Sequence, residues 1–338
     1  MMERDTIGQP LQKREVADCS VRGQNTVGRF APTPSGNLHL GNLFCSLLAW
    51  LAAKRQGGRI LLRIEDLDRE RTRMEYVRSA EEDLRFLGLS WDEGGSYGGE
   101  AYFQSNRSGF YEQLLHRLEE QGLVYPCFCS RAELHAASAP HASDGDPIYS
   151  GKCRGLSPED VKKLAEIRSP ALRLRAPPEV FTFLDSHYGE VSQNLAEECG
   201  DFILRRSDGV FAYQLAVVGD DAAMGVTQVV RGRDLLSSTA RQIYLYRLLG
   251  YPAPEFAHVP LLLAHDGRRL SKRDRDTSLQ ALREKGFSGE EIVGRLAYLA
   301  GLLPAPEAAA PAELIPLFSW EKVPKEDILL PEGLFEKP

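Results

Sequence analysis

The sequence contains no run of apolar residues long enough to cross a lipid bilayer. Its longest nearly unbroken apolar stretch, residues 43–53, is interrupted by Ser46 and falls well short of the roughly 20 residues that a membrane-spanning helix requires. The first residues mix charges of both signs and lack the apolar segment of a secretory signal. We therefore expect no membrane span, a disordered arm over residues 1–26 and a cytoplasmic protein.

Cysteine is scarce, and basic residues are not in excess. Of the six cysteines, three are scattered and three cluster, which is unlike the even spacing of a disulfide framework. Lysine and arginine number 41 against 48 acidic residues, giving a net charge of −7. This balance argues against indiscriminate binding of nucleic acid but allows a local basic surface. Length and composition predict a globular chain of roughly two or three compact units.

A strand, a loop, a helix and a second strand follow the arm. The strands are predicted at residues 26–31 and 59–64, and the helix at 40–53. Together they form a βαβ unit, in which the helix begins at the carboxyl edge of a parallel sheet. In the loop "FAPTPSGNLHLGN", prolines fix an extended approach and glycines allow the backbone close to a ligand. Free N–H groups at the helix start favour a phosphate, with His39 as a donor, although a plain turn with a surface histidine is the alternative.

Further elements follow along the chain. Helices are predicted at residues 80–87, 107–121, 157–167 and 237–250, and a strand at 227–232. In "DFILRRSDGVFAYQLAVV", residues 201–218, Ser-Asp-Gly stands between two apolar runs. This pattern predicts a β-hairpin in which the sheet resumes.

Basic side chains crowd into "GRRLSKRDR", residues 267–275. They are Arg268, Arg269, Lys272, Arg273 and Arg275. Such density calls either for an anionic partner or for open solvent, and a solvated face is the usual reason for a charge run.

The clustered cysteines occur in "CFC", residues 127–129, and at the end of "YSGKC", residues 149–153. Three thiolates favour Zn²⁺, which takes a fourth ligand to complete a tetrahedron. By ligand chemistry, His135 or His141 in the intervening loop would be better ligands than the Tyr149 phenol, and buried free cysteines are the alternative to any metal. A structural role is expected for this zinc.

Two of these segments together resemble the paired signatures of class I aminoacyl-tRNA synthetases. "HLGN" is similar to their HIGH motif and "RLSKR" to their KMSKS motif, with Asn42 in place of the second histidine. "GRFAPTPSGNLHLGN", "RIEDLDRER", "FAYQLAVVGDD" and "VVRGRDLLSSTARQ" resemble, over residues 27–275, the core of glutamyl-tRNA synthetases. The hairpin and the lack of a long anticodon-binding region resemble the short paralogues, the glutamyl-queuosine tRNA(Asp) synthetases. Residues 275–338 extend beyond the compact form.

The resemblance implies an α/β fold with a Rossmann-type parallel sheet, an inserted zinc-binding subdomain and a C-terminal helical region. Residues 27–125 would form the first half of the catalytic domain and 201–265 the second half. Residues 126–200 would be the insertion that contacts tRNA. Residues 266–338 would hold the KMSKS-type loop and the helical region.

The resemblance also implies roles for individual residues. The glutamate site would comprise Arg29, Phe30, Ala31, Pro32, Thr33, Glu65, Tyr213 and Arg231. Both arginines would pair with carboxylates, Glu65 would accept from the ammonium, and Tyr213 would donate its hydroxyl. Asp66 and Asp68 could equally belong to a solvated loop. ATP would contact His39, Gly41, Asn42 and Lys272, of which His39 and Lys272 would be catalytic. Cys127, Cys129, Cys153 and, by resemblance, Tyr149 would hold the zinc.

The implied reaction is ATP-dependent activation of glutamate without tRNA, followed by transfer to the queuosine base in the tRNA(Asp) anticodon. Mg²⁺ would arrive with ATP, one structural Zn²⁺ would be bound, and the protein would be a monomer. One alternative is a C-terminally reduced glutamyl-tRNA synthetase that charges a tRNA 3′ end. The other is a non-catalytic RNA-binding relative, which intact Arg29, His39, Glu65 and Lys272 disfavour.

Overall fold

A computed structural model describes residues 26–130, 133, 148–270 and 278–337. Residues 1–25 of the predicted arm, Lys272, His135 and His141 lie outside these ranges. No helix among the described residues is long and apolar enough to span a membrane.

Strands and helices are mixed up to residue 263, with four consecutive strands between residues 171 and 205, and helices predominate among the elements beyond it. The strands are β1 (Val27–Phe30), β2 (Arg59–Leu62), β3 (Glu93–Gly94), β4 (Val124–Cys127), β5 (Ala171–Leu174), β6 (Val180–Asp185), β7 (Gly189–Asn194), β8 (Phe202–Arg205), β9 (Gln228–Gly232), β10 (Glu255–Val259), β11 (Leu262–Leu263) and β12 (Ile328–Leu329). The α-helices are α1 (Leu40–Arg55), α2 (Met74–Phe86), α3 (Ser108–Glu120), α4 (Pro158–Ile167), α5 (Tyr213–Ala223), α6 (Thr239–Leu249), α7 (Leu279–Glu284), α8 (Gly289–Leu299) and α9 (Pro311–Leu314). Short 3₁₀ turns lie at Glu100–Tyr102, Gln104–Asn106, Arg233–Ser238 and Ile315–Leu317, and a π turn at Leu195–Cys199.

Parallel strands form the centre of the molecule. Strand β1 pairs in parallel with β2, and β2 with β3, so the predicted βαβ unit is confirmed. Strand β10 pairs in parallel with β9 and β6, and β7 runs antiparallel to β6. The backbone N–H of Thr227 donates to the carbonyl of Val27 at 3.0 Å, which joins the starts of β9 and β1. The connections turn away from this junction in opposite directions, and ligands bind at such a point in open α/β sheets.

Helix α1 begins at a cap made by two residues of the HIGH-like motif. Nδ1 of His39 accepts from the Gly41 N–H at 3.1 Å, and Oδ1 of Asn42 accepts from the His39 N–H at 3.2 Å. This reciprocal pair is a capping box. A side chain at position 41 would lie 3.0 Å from the imidazole, so glycine allows the close approach. The helix then runs through the main apolar core, with Leu43 and Leu47 fully buried.

The predicted hairpin at residues 201–218 is wrong in its second half. Strand β8 uses the first apolar run, and it pairs with β5 in an antiparallel β4-β5-β8 sheet, not in the parallel one. A single bridge joins Arg205 to Phe211, after which α5 begins at Tyr213. Consecutive residues 215–218 are buried on all sides of the helix. A short, wholly buried apolar run has no periodicity that separates strand from helix, which explains the error.

The other predicted helices and the strand at β9 are present. Ser157 caps α4 by accepting from the Asp160 N–H, and Gly250 ends α6 in the left-handed conformation. Helices α7, α8 and α9 pack on the core that contains α1. Strand β12 pairs in parallel with β11, so the region beyond residue 278 is helical but also supplies a strand.

Candidate active site

A cavity of about 470 Å³ opens at the carboxyl ends of β1 and β9. Apart from Lys272, which lies outside the described residues, every predicted glutamate and ATP residue lines it: Arg29, Phe30, Ala31, Pro32, Thr33, His39, Gly41, Asn42, Glu65, Tyr213 and Arg231. Cys45, Asp234, Leu235 and Arg269 also line the cavity, although the sequence pattern did not single them out for it. The fold therefore brings together residues from six separate segments of the chain.

Arg29 extends from β1 toward β9. Its Nη1 donates to the carbonyl of Val230 at 2.9 Å, and its Nε lies 3.7 Å from Oδ1 of Asp221. The other N–H groups of Arg29 make no hydrogen bond with any residue that the structure describes. A guanidinium carries five N–H donors, so Arg29 retains enough of them for a two-pronged contact with a carboxylate.

Arg63 lies behind the cavity, next to the lining residue Glu65. This fully buried side chain donates from Nη1 to Asp221 at 2.6 Å and from Nη2 to Glu65 at 3.2 Å. Its Nε lies 3.8 Å from Oδ2 of Asp220. Both aspartates belong to α5, which is otherwise mainly apolar. The Arg63 guanidinium thus compensates Glu65 and Asp221 directly, while Asp220 accepts from Nε of Arg107 at 2.6 Å. Buried carboxylates would be costly without such partners.

Glu65 lies at the edge of this charged group. Burial raises the pKa of its carboxyl, while the guanidinium groups of Arg63 and Arg29 counteract that increase. A substrate ammonium beside Glu65 would favour the ionised carboxylate further. Burial and then the nearby Glu65 raise the pKa of Tyr213, so this residue presents a neutral hydroxyl.

Arg231 is held by protein partners on nearly every side. Its Nε donates to Nε2 of His258 at 3.0 Å. The terminal nitrogens donate to Gln242 Oε1 at 2.7 Å, Thr239 Oγ1 at 2.9 Å and the Leu235 carbonyl at 3.3 Å. Four of five N–H donors are thereby used, and the Tyr213 hydroxyl is a further hydrogen-bonding neighbour. Arg231 can therefore offer at most one N–H to a ligand.

The start of α1 can attract an anion, but not through free backbone N–H groups as the sequence predicted. The N–H of Gly41 donates to His39 Nδ1, and the N–H groups of Asn42 and Leu43 donate to the His39 carbonyl. These amides are therefore occupied by the cap. Because Nδ1 of His39 accepts, its ring proton sits on Nε2 in the neutral form. The imidazole and the helix dipole, more than free amides, make this end suitable for phosphate.

The two acidic residues after Glu65 have other partners. Asp66 accepts from the Ser105 N–H at 2.8 Å and from its hydroxyl at 2.6 Å. Asp68 is more exposed and lies 3.5 Å from Nε of Arg71. Neither residue lines the cavity, so the solvated-loop interpretation holds for Asp68, and Asp66 anchors the neighbouring turn.

The cysteine cluster forms a second, separate site at the end of β4. The three sulfur atoms of Cys127, Cys129 and Cys153 lie within 4.8 Å of one another. The Tyr149 hydroxyl lies 3.5 Å from Cys127 Sγ and 3.7 Å from Cys129 Sγ, and it accepts from the Cys153 N–H at 2.8 Å. Sulfur atoms at the corners of a tetrahedron about Zn²⁺, each at about 2.3 Å, are separated by roughly 3.8 Å. The arrangement of these donors therefore fits an ion with tetrahedral coordination.

The surroundings act in opposite directions on two thiols of the cluster, since burial raises the pKa of Cys129 to about 11 whereas the pKa of Cys127 is lowered. Burial opposes ionisation of Cys127, but hydrogen bonds to Tyr149 and the Cys129 backbone and the nearby Arg173 lower the pKa of its thiol. The Arg173 guanidinium also lies 4.0 Å from the centre of the Tyr149 ring. A thiolate is the form of cysteine that binds metal, so the cluster can bind a metal ion.

Comparison with known proteins bears on both sites. The sequence model of the tRNA synthetases class I (E and Q), catalytic domain, matches residues 25–310. A glutamyl-Q tRNA(Asp) synthetase of Symbiobacterium thermophilum is 52% identical over 90% of this chain and 95% of its own length. That of Nitratidesulfovibrio vulgaris is 50% identical over 92% of this chain and 97% of its own. The chain belongs to the glutamyl-Q tRNA(Asp) synthetase family.

A solved structure agrees with the assignment. The glutamate tRNA ligase from Elizabethkingia meningosepticum, crystallised in complex with its amino acid, superposes with a TM-score of 0.78 at 30% identity. The match covers 92% of this chain and 68% of that protein. The predicted class I synthetase fold is confirmed, and membership of the family makes the chain an ATP-using ligase.

For this glutamyl-Q tRNA(Asp) synthetase homologue, the motifs pointed to the residues that face the cavity and missed those behind them. Arg63, Asp220, Asp221 and His258 each contact a predicted residue or its partner. The pair of acids within the apolar run "AYQLAVVGDD" was the available signal, because adjacent carboxylates are buried only beside a cation.

Proposed function

We propose that the protein activates glutamate with ATP in the absence of tRNA and transfers the glutamyl group to the queuosine base in the anticodon of tRNA(Asp). The observation that carries the proposal is one cavity in which two buried arginines, Arg29 and Arg231, face Glu65 and the start of α1. Such a cavity has cations for two carboxylates, an acceptor for an ammonium and a phosphate-facing helix end. The most similar relatives described above carry the corresponding name.

Glutamate would be bound by unequal contacts. Arg29 has several unused N–H donors and would grip one carboxylate with two of them. Arg231 has at most one left, and it would act on the other carboxylate together with the Tyr213 hydroxyl. The free ammonium would donate to Glu65. The two carboxylates and the ammonium of glutamate would thereby be matched at once, which selects an acidic amino acid.

Activation requires alignment and charge neutralisation more than proton transfer. An oxygen of the α-carboxylate attacks the α-phosphorus of ATP, the bond to the bridging oxygen breaks, and pyrophosphate leaves with the electron pair. Nε2–H of His39 would donate to a phosphate oxygen, and Gly41 would let the nucleotide approach the helix start. By resemblance, Lys272 would stabilise the charge that builds on pyrophosphate. Mg²⁺ would be bound mainly through the nucleotide.

Zinc would be held by Cys127, Cys129, Cys153 and Tyr149. None of these residues lines the cavity, so the ion would stabilise the insertion and take no part in the chemistry. His135 and His141 remain alternatives for the fourth position. We also propose that the protein acts as a monomer in the cytoplasm, where its tRNA substrate is found.

The proposal is tested by separating the two steps. Glutamate-dependent exchange between ATP and pyrophosphate should proceed with no tRNA present. Labelled glutamate should then transfer to tRNA(Asp) that carries queuosine, and not to unmodified tRNA(Asp) or tRNA(Glu). Exchange that depends on tRNA, together with charging of the tRNA(Glu) 3′ end, would instead support a C-terminally reduced glutamyl-tRNA synthetase.

A further inference from the structure

A fully buried aspartate–histidine pair stands behind Arg231. His258 on β10 is the direct strand neighbour of Arg231 on β9, and Asp185 ends the adjacent strand β6. Nδ1 of His258 lies 2.6 Å from Oδ2 of Asp185, and Nε2 lies 3.0 Å from Nε of Arg231. The three side chains therefore form a hydrogen-bonded line that ends at the glutamate cavity. Neither Asp185 nor His258 lines that cavity itself.

The partners of His258 determine which of its ring nitrogens carries the proton. Nε of Arg231 can only donate, so Nε2 of His258 must be the acceptor. The Thr239 hydroxyl, 3.3 Å from the same nitrogen, can donate to it while accepting from Arg231 Nη2. The ring proton therefore sits on Nδ1 and is donated to Asp185. A charged imidazolium or the other tautomer would place two donors face to face.

Asp185 is well suited to hold that tautomer. Its Oδ1 accepts from the backbone N–H groups of His187 at 3.0 Å and Tyr188 at 2.8 Å, and Oδ2 accepts from the N–H of His258 at 3.1 Å. Despite burial, these hydrogen bonds and the one from His258 lower the pKa of Asp185. Burial lowers the pKa of His258. An ionised aspartate and a neutral histidine are thus the favoured states.

We propose that Asp185 and His258 are positioning residues that fix the Arg231 guanidinium in the orientation that binds a carboxylate of glutamate. The inference rests on the proposed function, because the ligand of Arg231 is the glutamate named there. By holding Nε of Arg231 from behind, the pair prevents the guanidinium from turning toward Asp221 and the Arg63 cluster. It thereby sets the affinity for glutamate without touching it, as supporting hydrogen bonds do for other binding residues.

Asp185→Asn is the decisive variant. The carboxamide oxygen can still accept from the backbone N–H groups, but its NH₂ would face His258 Nδ1 and donate to it. The ring proton would then move to Nε2 and oppose Nε–H of Arg231. We expect the KM for glutamate in pyrophosphate exchange to rise about tenfold or more, as leaving buried donors unpaired does. The KM for ATP and the kcat should change less than about twofold.

Two further variants and one spectrum separate positioning from simple support of the fold. His258→Gln places an amide oxygen as acceptor and should restore a large part of the glutamate affinity that His258→Leu loses. His187→Gln is the matched control, since His187 is also buried and lies two residues from Asp185, but its ring hydrogen-bonds to the Pro324 carbonyl and packs against Tyr188 and Trp320, away from Arg231. It should leave the KM for glutamate unchanged. Nitrogen-15 spectra of the His258 ring should show the proton on Nδ1 in the native protein and on Nε2 in Asp185→Asn.

The contrary results are equally clear. An Nε2–H tautomer in the native protein would overturn the inference, as would a KM for glutamate that Asp185→Asn and His258→Leu leave unchanged. Equal increases in the KM values for glutamate and ATP, matched by His187→Gln, would assign the pair to folding alone. If the native protein shows no glutamate-dependent exchange, the proposed function fails. In that case, direct measurements of glutamate binding and of the His258 tautomer test the inference independently of the proposed function.

Discussion

The glutamate cavity and the cysteine cluster are both buried and polar, but they reach electrical balance in different ways. Behind the cavity wall, Arg63 contacts the carboxylates of Glu65 and Asp221 and lies near that of Asp220. In the cluster, three thiols and one phenol converge on a common centre, and Arg173 lies behind the ring. The cavity therefore contains its own countercharges, whereas thiolates in the cluster need a cation between them.

This difference predicts that the cysteine cluster, unlike the cavity, depends on the metal supply and on the pH. Groups held by internal countercharges are preorganised and stabilise reacting charges without rearrangement. A set of thiolates binds its ion in competition with protons, so its integrity depends on metal supply and pH. We expect mutations among the charged groups of the cavity to change stability directly, and mutations in the cluster to act through the metal.

The largest effect is expected from Arg63→Met, which removes the cation shared by the cavity carboxylates. The variant should lose about 3–5 kcal/mol of unfolding free energy, because the buried carboxylates of Glu65 and Asp221 lose their hydrogen-bonded cation. Urea denaturation followed by circular dichroism measures the loss. The double variant Arg63→Met with Asp221→Asn should recover part of it, since one of the buried negative charges is then gone. A loss below about 1 kcal/mol would mean that water already compensates these carboxylates.

Cys129→Ser should have the next largest effect, and it should act through the metal. The hydroxyl does not ionise, so the zinc content should fall by more than half and the unfolding free energy by about 2–4 kcal/mol. Glutamate-dependent exchange near room temperature should stay within about twofold of the native rate, because the cluster does not line the cavity. Zinc analysis, thermal melts and exchange assays measure these three quantities.

Cys199→Ser provides the matched control, because Cys199 is partly buried and outside the cluster. It should keep the native zinc content. Native protein purified without any metal, yet fully stable, would contradict the structural role given to the cluster.

Glu65→Gln should separate stability from activity. The folded state raises the pKa of Glu65 above its ordinary value of 4.5, so it binds the proton more tightly than the unfolded chain does. This contribution to stability is present below the ordinary pKa and is lost as the pH rises. At neutral pH the variant should therefore be more stable than the native protein, with the gap closing as the pH falls below the ordinary value of 4.5.

The same variant should bind glutamate at least about tenfold more weakly, since a neutral amide replaces the acceptor for the ammonium. Denaturation at several pH values and exchange at varied glutamate concentration measure the two effects. A variant that is less stable at neutral pH than at acidic pH, relative to the native protein, would refute the assigned direction of the pKa shift.

Asn42→Ala should have the smallest effect. It removes the acceptor for the His39 N–H and should cost about 0.5–1 kcal/mol, the usual contribution of a helix cap. Asn42→Asp keeps an acceptor at the positive end of α1 and should retain most of the stability. Thermal denaturation of the three proteins decides between them. Equal melting temperatures would show that the cap is redundant.

Local patterns predicted the elements that surround the site. The βαβ unit could be read from apolar runs and glycines, and the resemblance placed the cavity-facing residues on it. Interactions over long sequence separations could not be read. Arg63 and Asp221 are 158 positions apart, and Asp185 and His258 are 73 apart. A buried ion pair follows from which elements pack together, and no spacing rule encodes that.

Some predictions concern residues that the structure does not describe. The phosphate role of Lys272 stays a prediction, and so does the disordered arm. The interpretation of residues 211–218 as a strand was wrong for a different reason. The structure describes these residues, but their apolar pattern does not distinguish a strand from a helix. The Tyr149 hydroxyl lies 3.5 Å from Cys127 Sγ and 3.7 Å from Cys129 Sγ, but His135 and His141 lie outside the described residues, so the fourth zinc ligand stays a prediction.

Strand β12 is relevant to how the protein folds during its synthesis on the ribosome. Backbone N–H groups of Ile328 and Leu330 donate to the carbonyls of Leu261 and Leu263 at 2.9 Å, and Asp327 accepts from the Leu261 N–H at 2.8 Å. Leu261 lines the cavity, so part of the wall is held by a segment that lies 66 positions further along the chain. Domains form from the N-terminus onward during synthesis. A chain cut short before residue 327 would thus keep every motif that lines the cavity and lack the hydrogen bonds that hold Leu261.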